Sequence, residues 1–209
     1  MPRSRFALPV LLALPGLALA VAGLFHPHHL TYATSERWWT LHVPGLLVFP
    51  LVGLALAHLV RGRRDAVAWV VRLTAYAYAT FYSALDVISG IGAGYVTHEL
   101  GPGAARPEAV SLMFRIGTDL GRVGEYALLA CVVVLAVDQV VRLGVRALPG
   151  LLLVPGAWLV HVGHIFAPQG VAGTALLGVA TGWLAWVAAT RGAVPTHRTT
   201  RRRDATQSG

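Results

Sequence analysis

Long apolar segments are the feature that most restricts how this 209-residue chain can fold. A helix that crosses a bilayer needs about 20 predominantly apolar residues. Within hydrocarbon the backbone must satisfy its own hydrogen bonds, and a helix does so inside one segment. The sequence therefore predicts an all-α, multi-pass membrane protein with six transmembrane helices. The six segments are Phe6–Phe25, His42–Val60, Ala66–Val96, Ser111–Val141, Ala147–Ala167 and Val171–Thr190.

The composition agrees with a membrane protein, because charged residues make up only 12% of the chain and apolar residues 56%. A soluble domain carries about 25% charged residues. We predict a transmembrane domain over residues 1–195 and a disordered, basic cytoplasmic tail over residues 196–209. The first apolar segment follows Arg3 and Arg5 and also resembles a signal peptide, but its length favours a retained helix.

The net charge of +8 comes from seventeen arginines, with no lysine in the chain. With six spans, thirteen of these arginines fall on one side, and only Arg37, Arg106, Arg115 and Arg122 fall on the other. Arginine accumulates on the cytoplasmic side of membrane proteins. We therefore expect a cell-membrane protein with both termini in the cytoplasm and the lipid bilayer as its partner. The charge then orients the chain, and we expect no nucleic-acid partner.

Ionisable residues inside a span are costly and mark functional sites by default. In the fourth segment Arg115, Asp119, Arg122 and Tyr126 follow one another at i, i+4, i+7 and i+11, which places them on one helix face. Glu125 lies at the edge of that face. The two arginines balance the two carboxylates, so ordinary structural pairing accounts for much of this set.

Asp86, in the third segment, is left without an arginine partner when the charges of the fourth segment are paired with one another. It shares a helix face with Tyr82, and we expect the polar faces of the third, fourth and fifth segments to converge. Glycines beside these faces predict close helix contacts: Gly90, Gly94, Gly117, Gly121 and Gly124. The candidate catalytic residues are Asp86, Asp119, Arg122, Glu125 and Tyr82.

Seven of the nine histidines map to the side with few arginines. Imidazole is the commonest metal ligand, and a pair of histidines together with Asp86 or Glu125 would suit a divalent zinc, copper or iron ion. The candidate metal ligands are His26, His42, His161 and His164. One haem b is the second candidate cofactor, with His42 and either His161 or His164 as its ligands. A metal-free polar network is the alternative.

Aromatic residues crowd the third segment near Asp86: Tyr76, Tyr78, Phe81 and Tyr82. An aromatic cavity beside Asp86 and Glu125 would suit a lipid-soluble molecule such as an isoprenoid or a quinone, although ordinary helix packing also explains these side chains. Trp38 and Trp39 are expected at the membrane interface.

These features favour a membrane-embedded enzyme whose site faces the outer leaflet and acts on a lipid-soluble or periplasmic substrate. The first alternative is a small proton-coupled or metal-ion transporter that works as a homodimer. It draws on a faint internal repeat, PGLLxxP, that begins at Pro44 and again at Pro149. Interrupted helices at matching positions are typical of transporters. The second alternative is a non-catalytic membrane partner subunit.

Overall fold

The computed structural model describes residues 6–191, and every regular element in that range is helical. The all-α prediction is confirmed for this range. The predicted tail, residues 196–209, lies outside the described residues. The elements are α1 (Ala7–Phe25), α2 (Tyr32–His58), α3 (Ala66–Leu85), a π-helical segment (Asp86–Gly92), α4 (Ala93–Glu99), α5 (Glu108–Leu143), a 3-10 segment (Gly144–Leu152), α6 (Leu153–Gly163) and α7 (Gln169–Arg191).

Four helical stretches in residues 6–191 are long and apolar enough to cross a membrane: Ala7–Phe25, Tyr32–His58, Glu108–Gly163 and Gln169–Arg191. The third stretch includes both α5 and α6. The chain folds back between them, since Glu125 in the middle of α5 is hydrogen-bonded to His161 near the end of α6, and the two helices are therefore antiparallel. Helix α3, which carries Arg72 and three tyrosines, is not among the four. The membrane class is therefore supported, whereas the count of six spans stays a prediction.

Helix α2 begins ten residues before the predicted start of the second span, at Tyr32 instead of His42. It begins there because the Thr34 hydroxyl accepts a hydrogen bond from the backbone N–H of Thr31, at 2.9 Å. Trp38 consequently lies within the helix and is only 6% exposed. The Trp38 indole packs inside the bundle instead of facing lipid, and its position relative to the membrane interface stays a prediction.

Glycines bring the helices close together, as predicted for the third and fourth segments. A Cβ atom on Gly121 would lie 2.7 Å from the Leu85 side chain, and one on Gly124 would lie 3.0 Å from the Tyr82 backbone nitrogen. The same device joins α1 to α7, where a Cβ on Gly16 would lie 2.5 Å from the Gly178 nitrogen. Such close approach is typical of helix pairs in membranes.

One end of the bundle is rich in arginine. Arg63 bonds both Asp65, at 2.9 Å, and Asp138 of α5, at 2.5 Å. Arg142 bonds Asp138 at 3.2 Å. The Arg63 guanidinium holds the pKa of the exposed Asp65 carboxyl well below its usual range, and the backbone N–H of Ala68 lowers it further. These ion pairs fix the start of α3 against α5.

The opposite end is rich in histidine and contains the connections over residues 26–31 and 100–107. Arg106 donates to the Leu30 carbonyl at 3.0 Å, and the Ser35 hydroxyl lies 3.3 Å from Nδ1 of His98. These contacts show that the two connections share one end. The PGLLxxP copies lie in unlike surroundings, because the first is inside α2 and the second crosses from the 3-10 segment into α6.

Candidate functional site

A cavity of about 460 Å³ opens among α2, the π-helical segment, α5 and the end of α6, at the histidine-rich end. Its walls are largely apolar, and polar side chains from four elements converge on it. The apolar lining includes Trp38, Leu85, Phe114, Val162 and Phe166. The polar lining includes His42, Asp86, Arg122, Glu125, His161 and His164.

Glu125 and His161 form a hydrogen-bonded pair on one side of the cavity. Oε2 of Glu125 lies 2.8 Å from Nδ1 of His161, and the two side chains are only 12% and 23% exposed. The carboxylate can therefore orient the imidazole and balance its charge when the ring is protonated. A carboxylate and an imidazole in this arrangement can take up and return a proton.

A second polar group, around His42 and Asp86, lines the same cavity. Nε2 of His42 lies 3.4 Å from Nε2 of His26 and 3.9 Å from Oδ1 of Asp86. His26 follows α1 and lies outside the helices, and burial together with the neighbouring His42 lowers its pKa to about 4. The His26 imidazole is therefore neutral at physiological pH.

Asp86 begins the π-helical segment that continues α3. Such segments occur frequently at functional sites because they turn side chains away from the regular helical register. The carboxyl group is almost completely buried, and neither of its oxygens has a hydrogen-bond partner among residues 6–191. Gly45 of α2 leaves room for this carboxyl group, since a Cβ atom at position 45 would lie only 3.1 Å from Oδ2 of Asp86.

His164 lines the cavity just beyond the last residue of α6. Its φ of 51° is in the left-handed region, which is unusual for a residue other than glycine. Nδ1 of His164 is hydrogen-bonded to the hydroxyl of Tyr82, which is completely buried in α3. Tyr82 thus orients His164 and does not itself line the cavity.

The polar face predicted on the fourth segment does not converge on the site as expected. Arg115 and Asp119 are exposed on the outside of α5, and Tyr126 is 59% exposed. Asp119 pairs with Arg122 at 4.0 Å, with both side chains more than half exposed. Arg122 alone of this face reaches the cavity, where Glu125 also contributes. The predicted convergence is therefore wrong for Arg115 and Asp119, whereas the Tyr126 ring contacts that of His161, with the ring centroids 5.3 Å apart.

The predicted metal ligands fall into separate interactions. His26 contacts His42, His161 bonds Glu125, and His164 bonds Tyr82. Within residues 6–191, no group of three or more His, Cys, Asp or Glu side chains is assembled as a metal centre. Metal binding therefore has no support from a preformed centre, and the haem assignment to His42 and His164 stays a prediction.

Several residues that line the cavity were not predicted from the sequence. Phe114 and Phe166 form aromatic walls, whereas the predicted Tyr76 points outward and is 71% exposed. His26 and His42 were both predicted as members of one site, but the sequence did not indicate that these two imidazoles contact each other directly. Pro27, directly after His26, follows the end of α1, where the chain turns back towards α2.

Comparisons with models of protein families, with curated proteins and with solved structures find no match to this chain.

Proposed function

We propose that this chain is a membrane-embedded enzyme that performs acid/base chemistry on a lipid-soluble or periplasmic substrate at the histidine-rich end. One observation carries the proposal: the Glu125–His161 pair and the unpartnered Asp86 carboxyl meet at one cavity with apolar walls. Concave sites that combine apolar walls with a few convergent polar groups are typical of small-molecule binding.

The roles follow from the positions of the side chains. Glu125 and His161 exchange a proton with the substrate, and Asp86 supplies a second carboxyl in the same cavity. Arg122, at the rim, stabilises negative charge on the substrate. Tyr82 acts as a positioning residue through His164. Aromatic and aliphatic walls favour an isoprenoid-like or quinone-like molecule over a strongly polar one.

The orientation of the site belongs to the same proposal. Six spans with the arginine-rich end in the cytoplasm place both termini inside the cell and the cavity in the outer leaflet of the cell membrane. This arrangement follows the bias of arginine towards cytoplasmic loops. A substrate dissolved in the bilayer would then reach the cavity between α5 and α6, near Arg122 and Val162.

The test uses the full chain in nanodiscs incubated with a total bacterial lipid extract, followed by untargeted mass spectrometry. We expect time-dependent conversion of at least one isoprenoid or quinone species. Glu125→Gln should slow it at least about 100-fold, because positioned acid/base groups contribute that much to rate. Glu36→Gln, at an exposed position at the same end, should have no effect. Absence of conversion, or equal rates in both variants, would overturn the proposal.

A transporter working as a homodimer is the second candidate, and the exposed face of α5 favours it. Arg115, Asp119 and Arg122 lie on the outside of an apolar helix, where charge is costly unless protein or water covers it. A second copy of the chain would cover this face with charges of both signs. Uptake into proteoliposomes that depends on a pH gradient, without lipid conversion, would favour transport over the enzyme.

A further inference from the structure

The imidazoles of His26 and His42 contact each other through the same ring nitrogen, Nε2. Nδ1 of His26 lies 2.7 Å from the Pro27 carbonyl oxygen, and Nδ1 of His42 lies 2.6 Å from the Trp38 carbonyl oxygen. A carbonyl oxygen only accepts, so each Nδ1 carries a hydrogen, and each neutral ring presents a lone pair on Nε2. The two Nε2 atoms that carry these lone pairs lie 3.4 Å apart, and the ring planes are inclined at 84° to each other.

Two lone pairs on nitrogen atoms this close repel unless both are directed at a shared cation. A shared proton would draw nitrogen atoms into the ordinary hydrogen-bond range of about 2.7–3.2 Å, which is shorter than the observed 3.4 Å. A metal ion requires a longer separation. With metal–nitrogen distances of about 2.0–2.1 Å and tetrahedral geometry, adjacent ligand nitrogens lie about 3.4 Å apart.

Asp86 supplies the negative charge that such an ion needs. The residue is 3% exposed, neither carboxyl oxygen has a hydrogen-bond partner among residues 6–191, and Oδ1 lies 3.9 Å from Nε2 of His42. An adjacent oxygen ligand in a tetrahedral site lies about 3.3 Å from the ligand nitrogen. Oδ1 is therefore only about 0.6 Å farther from Nε2 of His42 than an oxygen ligand would be.

We propose that His26, His42 and Asp86 bind one divalent transition-metal ion, with zinc or ferrous iron as the fitting class. The two imidazoles are already at ligand spacing, and the ion draws in the carboxylate of Asp86. Ligand histidines in proteins regularly donate their second ring N–H to a backbone carbonyl, as both rings do here. Two imidazoles and one carboxylate leave coordination positions open towards the cavity.

This site does not depend on the proposed enzyme activity, because metal content is measured without a substrate. The full chain, purified in detergent and stripped with a chelator, is dialysed against zinc chloride, and bound zinc is measured by elemental analysis and calorimetry. We expect one zinc ion per chain. His42→Gln and Asp86→Asn should each weaken binding at least about 10-fold, since even residues that only support a ligand contribute this much.

His29→Gln is the matched control, because His29 is an exposed histidine at the same end, and it should bind zinc as the parent chain does. Cobalt(II) provides a second measurement on the monodisperse fraction of each variant. The parent chain should show the visible absorption of tetrahedral cobalt, and His42→Gln should lose it. This readout separates a lost ligand from a misfolded sample.

The proposal is overturned if the parent chain binds no stoichiometric zinc, or if His42→Gln and Asp86→Asn bind as much zinc as His29→Gln. The two proposals fail separately. A chain that binds zinc without lipid conversion contradicts only the enzyme proposal. Conversion that depends on Glu125 in a chain without zinc binding contradicts only the metal site.

Discussion

The side chain of Tyr82 is completely buried, and its hydroxyl is hydrogen-bonded to Nδ1 of His164. Tyr82→Phe keeps the ring and removes this bond. We expect a loss of about 1 kcal/mol in the free energy of unfolding, the usual net contribution of one hydrogen bond. Unfolding in mixed detergent micelles measures it.

Tyr126→Phe is the control for this prediction. Tyr126 is 59% exposed on α5, so removal of its hydroxyl should leave the unfolding free energy unchanged. Equal stability of the Tyr82 and Tyr126 variants would show that the bond to His164 contributes nothing to the folded state.

The types of residue in the sequence predict many members of the candidate site, but not which side chains contact each other. The cost of charge in hydrocarbon predicts Asp86 and Glu125 as site residues, and the structure places both at the cavity. The partners of His26, His42 and His161 depend on how each helix is rotated about its axis and on where α1 ends. Neither quantity follows from the charge of a side chain.

For helices, the rotation of α5 decides which of its charges reach the cavity. Gly117 and Gly121 pack on the π-helical segment and the end of α3. Asp119 is two residues from both glycines, about 200° around the helix, whereas Glu125 is about 40° from Gly121. The positions of Gly117 and Gly121 therefore indicate that Asp119 faces outward. The prediction of a polar face on the fourth segment did not take these glycines into account.

Other elements could not be predicted from periodicity. The π-helical segment at Asp86–Gly92 and the 3-10 segment at Gly144–Leu152 lie within apolar stretches that read as continuous spans. Both depend on tertiary packing. The early start of α2 depends on the Thr34 hydroxyl, which accepts from the Thr31 backbone N–H and donates to the His29 carbonyl, within a polar stretch that was interpreted as a loop.

The start of α3 gives a prediction about pH. Because Arg63 holds the pKa of Asp65 below its usual range, Asp65 stabilises the folded state at any pH above its unfolded value of about 4. That contribution is lost progressively as the pH falls below about 4, through the folded value. The thermal unfolding midpoint in detergent should therefore fall modestly as the pH falls below about 4, because an exposed ion pair contributes little.

Asp65→Asn isolates this contribution, since asparagine still caps the helix through Ala68 but cannot pair with Arg63. The variant should unfold at a lower temperature at neutral pH and lose less stability on acidification than the parent chain. Parallel pH profiles for the two proteins would contradict the role of the ion pair.

The whole molecule has two chemically distinct ends, and their placement relative to the membrane is a prediction from arginine counts. Cys131, the single cysteine, is completely buried, so a Cys131→Ala background allows one accessible cysteine to be added at a time. We expect Ala104→Cys to react with a membrane-impermeant maleimide in intact cells. Arg64→Cys, at the other end, should react only after permeabilisation.

Both positions are exposed, which makes the comparison depend on sidedness alone. The reverse pattern of labelling would place the cavity in the inner leaflet and would contradict the predicted orientation. Labelling at both positions in intact cells would show that the two ends do not lie on opposite sides of the membrane.

Helix α5 runs without interruption over 36 residues, about 54 Å at 1.5 Å per residue. The same rigid rod carries Glu125 at the cavity and Asp138 in the ion pairs at the far end. Other parts of the cavity lining come from shorter elements, a π-helical turn at Asp86 and a helix terminus at His164. One continuous helix therefore links Glu125 at the cavity to the ion pairs at the arginine-rich end, so a displacement at either end is transmitted along the same backbone.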